Sequence, residues 1–234
     1  MKLIIFLTHN FNKIFFDTLV KLNNSVDNNY YKILVLFDKN NNYDNNIEIN
    51  KLQNIEVIKI NRINTPYDNL GHSMYINYFR NNLNEIKKYE YVWIIENDVY
   101  YPHSFLDFIN IYDSYDHDLL VPEYGLRSLS WPWTKGLKGF KNINNIGVLA
   151  VIMRFSQNFL SKLIDTLDKT YFGFLEAILP HICIENNLSI QQFLPETCGI
   201  LTTNNNLPLM KLIKTDIEEN TRKYIENKIY HPIK

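Results

Sequence analysis

Tyr91-Val92-Trp93-Ile94-Ile95-Glu96-Asn97-Asp98-Val99-Tyr100-Tyr101-Pro102 is the stretch on which the reading of this chain turns. Its first five residues are apolar, β-branched or aromatic, the length and chemistry of a buried strand, and the run stops abruptly at two carboxylates. In open α/β sheets ligands bind beyond the carboxyl ends of the strands, so Glu96 and Asp98 stand where a functional mouth is expected. Acids one residue apart repel each other and lose hydration when partly buried, a conflict that a cation or full solvation relieves. Hard oxygen ligands suit Mg²⁺ or Mn²⁺, which complete their shells with water and substrate phosphates. A plain solvated strand end carries the same triplet, so the flanking sequence has to separate the two readings.

Upstream, apolar runs at 3–7, 32–37 and 55–60 have strand length and are bounded by Asn or Asp. Between them, 11–22 and 70–88 carry apolar residues at helical spacing, with Met74, Tyr78, Leu83 and Ile86 on one stripe. This βαβ rhythm predicts a largely parallel sheet covered by helices. Downstream the pattern is mixed: a helix over 103–112, a strand over 119–122, an irregular stretch over 123–145, a strand over 148–153, helices over 157–168 and 174–186, a strand over 190–194 and a last helix over 216–227. With no internal repeat, linker or shift in charge, one continuous domain over 1–234 is expected.

Composition narrows the function. The 24 Lys and Arg against 25 Asp and Glu leave a net charge of -1, so no global field draws nucleic acid or an anionic membrane. Any phosphate must be held locally. The apolar run at 3–7 is too short for a signal-peptide core, and no stretch reaches the ~20 apolar residues of a membrane span, which points to a cytoplasmic protein. Cys183 and Cys198 form no C-x-x-C pair and read as free thiols. Asp113, Asp116 and Asp118 lack the glycine and terminal Glu of a calcium loop and read as solvated. Glycine-rich phosphate loops, nucleophile elbows and zinc signatures are absent from the sequence.

An apolar strand followed by Glu96-x-Asp98, Val99, an aromatic residue and Pro102 resembles the acidic motif of GT-A-fold glycosyltransferases. The resemblance implies a Rossmann-like mixed sheet flanked by helices, with 1–101 as a nucleotide-binding half and 102–234 as an acceptor-binding half. It also implies that Asp98 binds the metal, with Glu96, in place of the more usual Asp, at the metal or the nucleotide sugar. His9 and Asn10 after the first strand, and Asp38 after the second, match positions that hold the base and ribose in such enzymes. Asn69 to Gly71 matches a helix start close to the nucleotide; an ordinary turn or cap is the alternative for each.

The last residues read Tyr230-His231-Pro232-Ile233-Lys234. A residue before proline is pushed out of the helical region, so His231 is expected to be extended. By the same resemblance His231 is a metal ligand and Lys234 a diphosphate contact, and an imidazole in the shell favours Mn²⁺ over Mg²⁺. A frayed terminus is the bland alternative.

Transfer to a hydroxyl also needs a base. Glu176 is the one acid in the apolar segment 171–180, where burial raises affinity for a proton, and the segment resembles the acceptor-side helix of inverting GT-A enzymes. A buried structural acid is the competing reading. Trp131, Trp133, Arg127 and Lys135 in the 123–145 stretch are candidates to fold over a sugar or to plug the core.

The expectation is a metal-dependent, inverting glycosyltransferase that takes a nucleoside diphosphate sugar, UDP-linked, and a glycan, protein or small-molecule acceptor. A nucleotidyltransferase of related fold is disfavoured by the lack of a glycine-rich basic loop near the first strand. A non-catalytic nucleotide-sugar-binding module is the third reading.

Overall fold

Three of the four apolar runs of the first half become strands buried on both faces against different helices, and the fourth, at 55–60, forms the half-buried edge. The computed structural model describes residues 1–39, 52–61, 72–128, 131, 133, 137–141, 144–167, 174–201 and 228–231. Strands β1 (Lys2–Thr8), β2 (Tyr31–Asp38), β3 (Ile55–Ile60) and β4 (Tyr91–Glu96) pair in parallel in the order β3-β2-β1-β4. Leu3, Ile5 and Leu7 of β1 point into one apolar cluster while Ile4 and Phe6 point into the other, the alternation that a strand's two-residue period imposes.

The second half extends this same sheet. β8 (Ile152–Ser156) runs antiparallel to β4, β5 (Leu119–Val121) antiparallel to β8, and β9 (Ile190–Gln192) parallel to β5 at the edge. The product is a mixed seven-stranded sheet, β3-β2-β1-β4-β8-β5-β9. Helices α1 (Lys13–Ser25) and α4 (Phe105–Ile111) cover one face; α2 (His72–Asn81), α5 (Gln157–Leu167) and α6 (Leu175–Asn186) cover the other. Caps are local and chemical: the Asn12 side chain accepts from the Phe15 amide at the start of α1, and Ser104 accepts from Leu106 at the start of α4. The helix expected over 70–88 is interrupted, with α3 (Leu83–Ile86) following α2 after Asn82, whose side chain donates back to the Tyr78 carbonyl. Asn69 to Gly71 and the helix expected over 216–227 lie outside the described residues.

Three further differences matter for the site. The irregular 123–145 stretch contains β6 (Tyr124–Leu126), which makes a small antiparallel pair with β7 (Ile146–Val148). The single strand expected over 148–153 is instead β7 and β8 separated by Leu149 to Val151. Past the 3₁₀ turn at Pro195–Thr197, β10 (Cys198–Leu201) pairs in parallel with β11 (Ile229–His231). Short runs with no alternation carry little pairing information of their own, which is why these partners were not legible locally.

Two polar groups brace the frame. Arg154 of β8, 1% exposed, donates to the Tyr112 and His117 carbonyls at 2.8 and 2.9 Å and lies 3.9 Å from the Tyr91 ring centroid. Asp118 is not simply solvated: Ser156, Asn158 and both the amide and hydroxyl of Ser189 donate to it. These bonds outweigh partial burial and hold its carboxyl below the usual range. Its role is to tie β5 to the start of α5 and to the approach to β9. Cys183 and Cys198 are free, and burial pushes both thiols up, which makes them inert packing. No described helix is long and apolar enough to cross a membrane.

Candidate functional site

β4 ends in a turn. The Asn97 amide donates to the Leu7 carbonyl at 3.0 Å, continuing the β1 ladder one step, and the Val99 amide then turns back to the Glu96 carbonyl at 3.1 Å. The turn brings the Glu96 and Asp98 side chains out together at the carboxyl end of the sheet. Two residues further on, Tyr100 makes a reciprocal antiparallel bridge with Tyr230 of β11, each amide donating to the other's carbonyl at 2.9 Å. This bridge brings His231 beside the acids from more than 130 positions away in sequence.

The imidazole Nε2 of His231 lies 3.3 Å from Glu96 Oε2 and 3.2 Å from Asp98 Oδ1. One ligand atom from each of the three residues falls within 4.8 Å of the others, and among the described residues this is the group with that geometry. Around a divalent ion with ligands ~2.1 Å away, neighbouring ligand atoms sit about 3 Å apart, so the donor set and its spacing both fit a cation such as Mn²⁺ or Mg²⁺. His231 is 7% exposed at its side chain against 18% and 23% for Glu96 and Asp98, so the corner opens to solvent on the carboxylate side. Burial alone would push the imidazole down; the hydrogen bonds and charges of Asp98 and Glu96 outweigh it and raise it to about 9. At neutral pH the corner therefore holds one positive charge as a proton.

The other sequence candidates fall at different places. His9 and Asn10 are exposed just past β1, and Asn10 accepts from the Asn97 side chain at 3.1 Å, which links that loop to the middle of the acidic triplet. Asp38 ends β2 at the same edge of the sheet and is 3% exposed. Lys234 lies outside the described residues, as does Lys135.

Glu176 is in the first turn of α6 and 5% exposed. It lines a cavity of about 190 Å³ with Glu123, Arg127, Trp131, Trp133, Val148, Leu149 and Leu201. The two tryptophans are half-buried and packed on the protein: Trp133 lies 4.0 Å from the Phe174 ring at the N-terminus of α6, and Trp131 rests on Gly147, where a Cβ would come within 2.3 Å of its ring. Arg127 stands 5.6 Å over Trp131 and pairs with Glu123. These contacts make the tryptophans a wall of the cavity.

Cavity and acid corner are linked through neighbouring backbone. Leu201 of β10 faces His231 in the ladder, and Leu149 stands two residues before Val151, whose carbonyl accepts the Glu96 amide at 2.9 Å. None of the linking elements carries a motif; sequence reasoning missed β10, the Tyr100 to Tyr230 bridge and the Asn10 to Asn97 link, which are contacts between distant segments.

No protein-family model matches the chain, and no curated protein matches it in sequence. Solved structures similar to it include residues 1–349 of S. aureus TarS, at 17% identity and a TM-score of 0.46, covering 82% of this chain and 57% of that one. The same protein in complex with UDP-GlcNAc gives 16% identity and a TM-score of 0.44 over 82% of this chain and 55% of that one. Its complex with UDP gives 17% and 0.47 over 82% and 57%. This chain thus spans a little over half the length of those structures.

Proposed function

We propose that the protein is a metal-dependent glycosyltransferase that moves a sugar from a nucleoside diphosphate sugar to an acceptor hydroxyl. The observation that carries the reading is the convergence of Glu96, Asp98 and His231 at the carboxyl end of the parallel strands, beside a cavity walled by a buried acid. When bound, a divalent ion supplies charge for the departing diphosphate.

The chain's own residues do the rest. Asp98 and Glu96 present oxygen ligands on a turn held by Leu7 of β1 and by Val151 just before β8, so little reorganisation is needed. His231 closes the third side and keeps water away from the buried half of the corner. His9, Asn10 and Asp38, at the ends of β1 and β2, line the edge on which a base and ribose would lie, and Lys234 is assigned to the diphosphate. Glu176 is assigned as the base that takes the acceptor's proton, with the Trp131 and Trp133 wall orienting the acceptor. Direct displacement with such a base inverts the anomeric centre.

A thermal-shift and calorimetric panel of nucleoside diphosphate sugars, each with and without Mn²⁺, tests this. The reading expects stabilisation by one donor, dependent on metal, and transfer of its sugar to an acceptor. Release of a sugar 1-phosphate, with the nucleotide passed to the acceptor, would make the protein a nucleotidyltransferase, binding without turnover a binding module, and no response to any donor would overturn the proposal.

A further inference from the structure

β10 and β11 do not pair residue for residue. Cys198 faces Ile229 and Leu201 faces His231, so three steps along β10 are matched by two along β11 and the ladder shifts between them. The extra residue is a bulge, a device that re-aims a neighbouring side chain and is frequent beside functional sites. Gly199 lies in it. A Cβ on Gly199 would come within 2.4 Å of Tyr230 Cε1 and 2.8 Å of both Cδ1 and Cζ, so the phenol ring lies directly against the glycine. Tyr230 is 7% exposed, which leaves its ring no room to swing aside.

On its other side the same residue is held at the backbone. The reciprocal Tyr100 to Tyr230 bridge sets Val99 opposite His231, next to Asp98 in the chain. Tyr230 is therefore clamped between the bulge of β10 and the stretch just beyond the acids. Side chains alternate along a strand, so a Tyr230 ring seated on Gly199 turns the His231 ring the other way. There it meets both carboxylates.

We infer that Gly199 and Tyr230 are positioning residues for His231: the missing side chain at 199 lets the Tyr230 ring seat, and the seated ring aims the imidazole at Glu96 and Asp98. The inference rests on the metal reading of that corner. One added methyl at 199 displaces the ring, shifts β11 and moves His231 off the acids with every ligand still present in sequence.

The test is Mn²⁺ binding by calorimetry to the full chain, as wild type, Gly199→Ala, His231→Ala and the Gly199→Ala/His231→Ala double variant. Partners that orient a ligand typically contribute 10- to 100-fold in metal affinity, so Gly199→Ala is expected to weaken Mn²⁺ by ~10-fold or more. In the His231→Ala background it should add nothing, because the group it acts through is gone. Tyr230→Ala, which removes the ring without adding bulk, should weaken Mn²⁺ as well and serves if Gly199→Ala does not fold. Wild type that binds Mn²⁺ alongside a Gly199→Ala or Tyr230→Ala chain of equal affinity overturns the inference and leaves the metal site standing. Equal further loss in both backgrounds overturns it too, and wild type that does not bind Mn²⁺ overturns the metal reading itself.

Discussion

The acid corner and the Glu176 cavity handle carboxylates in opposite ways. At the corner two acids stand at solvent and share one imidazolium, so the surroundings favour positive charge. In the cavity the buried acid, Glu176, is withdrawn at the start of a helix behind aromatic and aliphatic walls, while the exposed Glu123 that also lines it is paired with Arg127. The corner suits binding a cation with its anionic ligand; the cavity suits a group that must gain a proton and lose it again. The two sit on separate elements joined by β10 and the Leu149 to Val151 turn.

Breaking the corner should have the largest effect. Asp98→Asn keeps the shape of the side chain and removes its charge; Mn²⁺ binding should be lost in calorimetry, and turnover should fall by ~10³-fold or more. Activity that survives at near wild-type levels would show that catalysis does not use this corner. Glu176→Gln breaks the other side. Its kcat should drop by roughly 10²- to 10⁴-fold while Mn²⁺ and donor affinities stay put, the signature of a lost proton acceptor. A parallel loss of donor affinity would make Glu176 a structural acid.

Acidity sharpens the contrast through the histidine of the corner. His231 sits at about 9 when folded against an ordinary value of 6.5, so its contribution to metal-free stability is fully present below pH 6.5 and is lost as pH rises through about 9. The shift corresponds to roughly 3 kcal/mol between those limits, readable as a falling urea midpoint. Metal binding runs the other way, since the proton must leave first: Mn²⁺ affinity should rise with pH up to about 9. A His231→Ala chain should show neither slope. The smallest effect is expected at Asn10→Ala, which removes one exposed side-chain bond to Asn97; a loss of ~1 kcal/mol or less in donor binding is expected, with Mn²⁺ affinity unchanged.

How much of this was legible in the chain differs between the two regions. The strand that carries Glu96 and Asp98 announces itself through five apolar residues and an abrupt polar stop, and the Pro after His231 already implies the extended backbone that β11 has. The cavity is another matter. Glu176 stands out as the one acid in its segment, but Trp131 and Trp133 read equally as lid or core plug, and only packing on Gly147 and Phe174 makes them a wall. Asp118 was underestimated for a related reason: its partners Ser156 and Ser189 are neutral and distant in sequence, so no spacing betrays them.

Period-two alternation, apolar run length and residue-specific backbone limits act over a few neighbours, and so the sequence alone settled the first four strands and which acids stand at the sheet's edge, while β6, β10 and the break between β7 and β8 were not legible in it. Which distant segment meets that edge was decided only in three dimensions. The bulge at Gly199 depends on a pairing between segments about 30 residues apart, and the Tyr230 clamp and the approach of His231 depend also on a bridge across 130 residues; the contacts that select them are backbone hydrogen bonds and ring packing that any sequence of similar shape could offer locally.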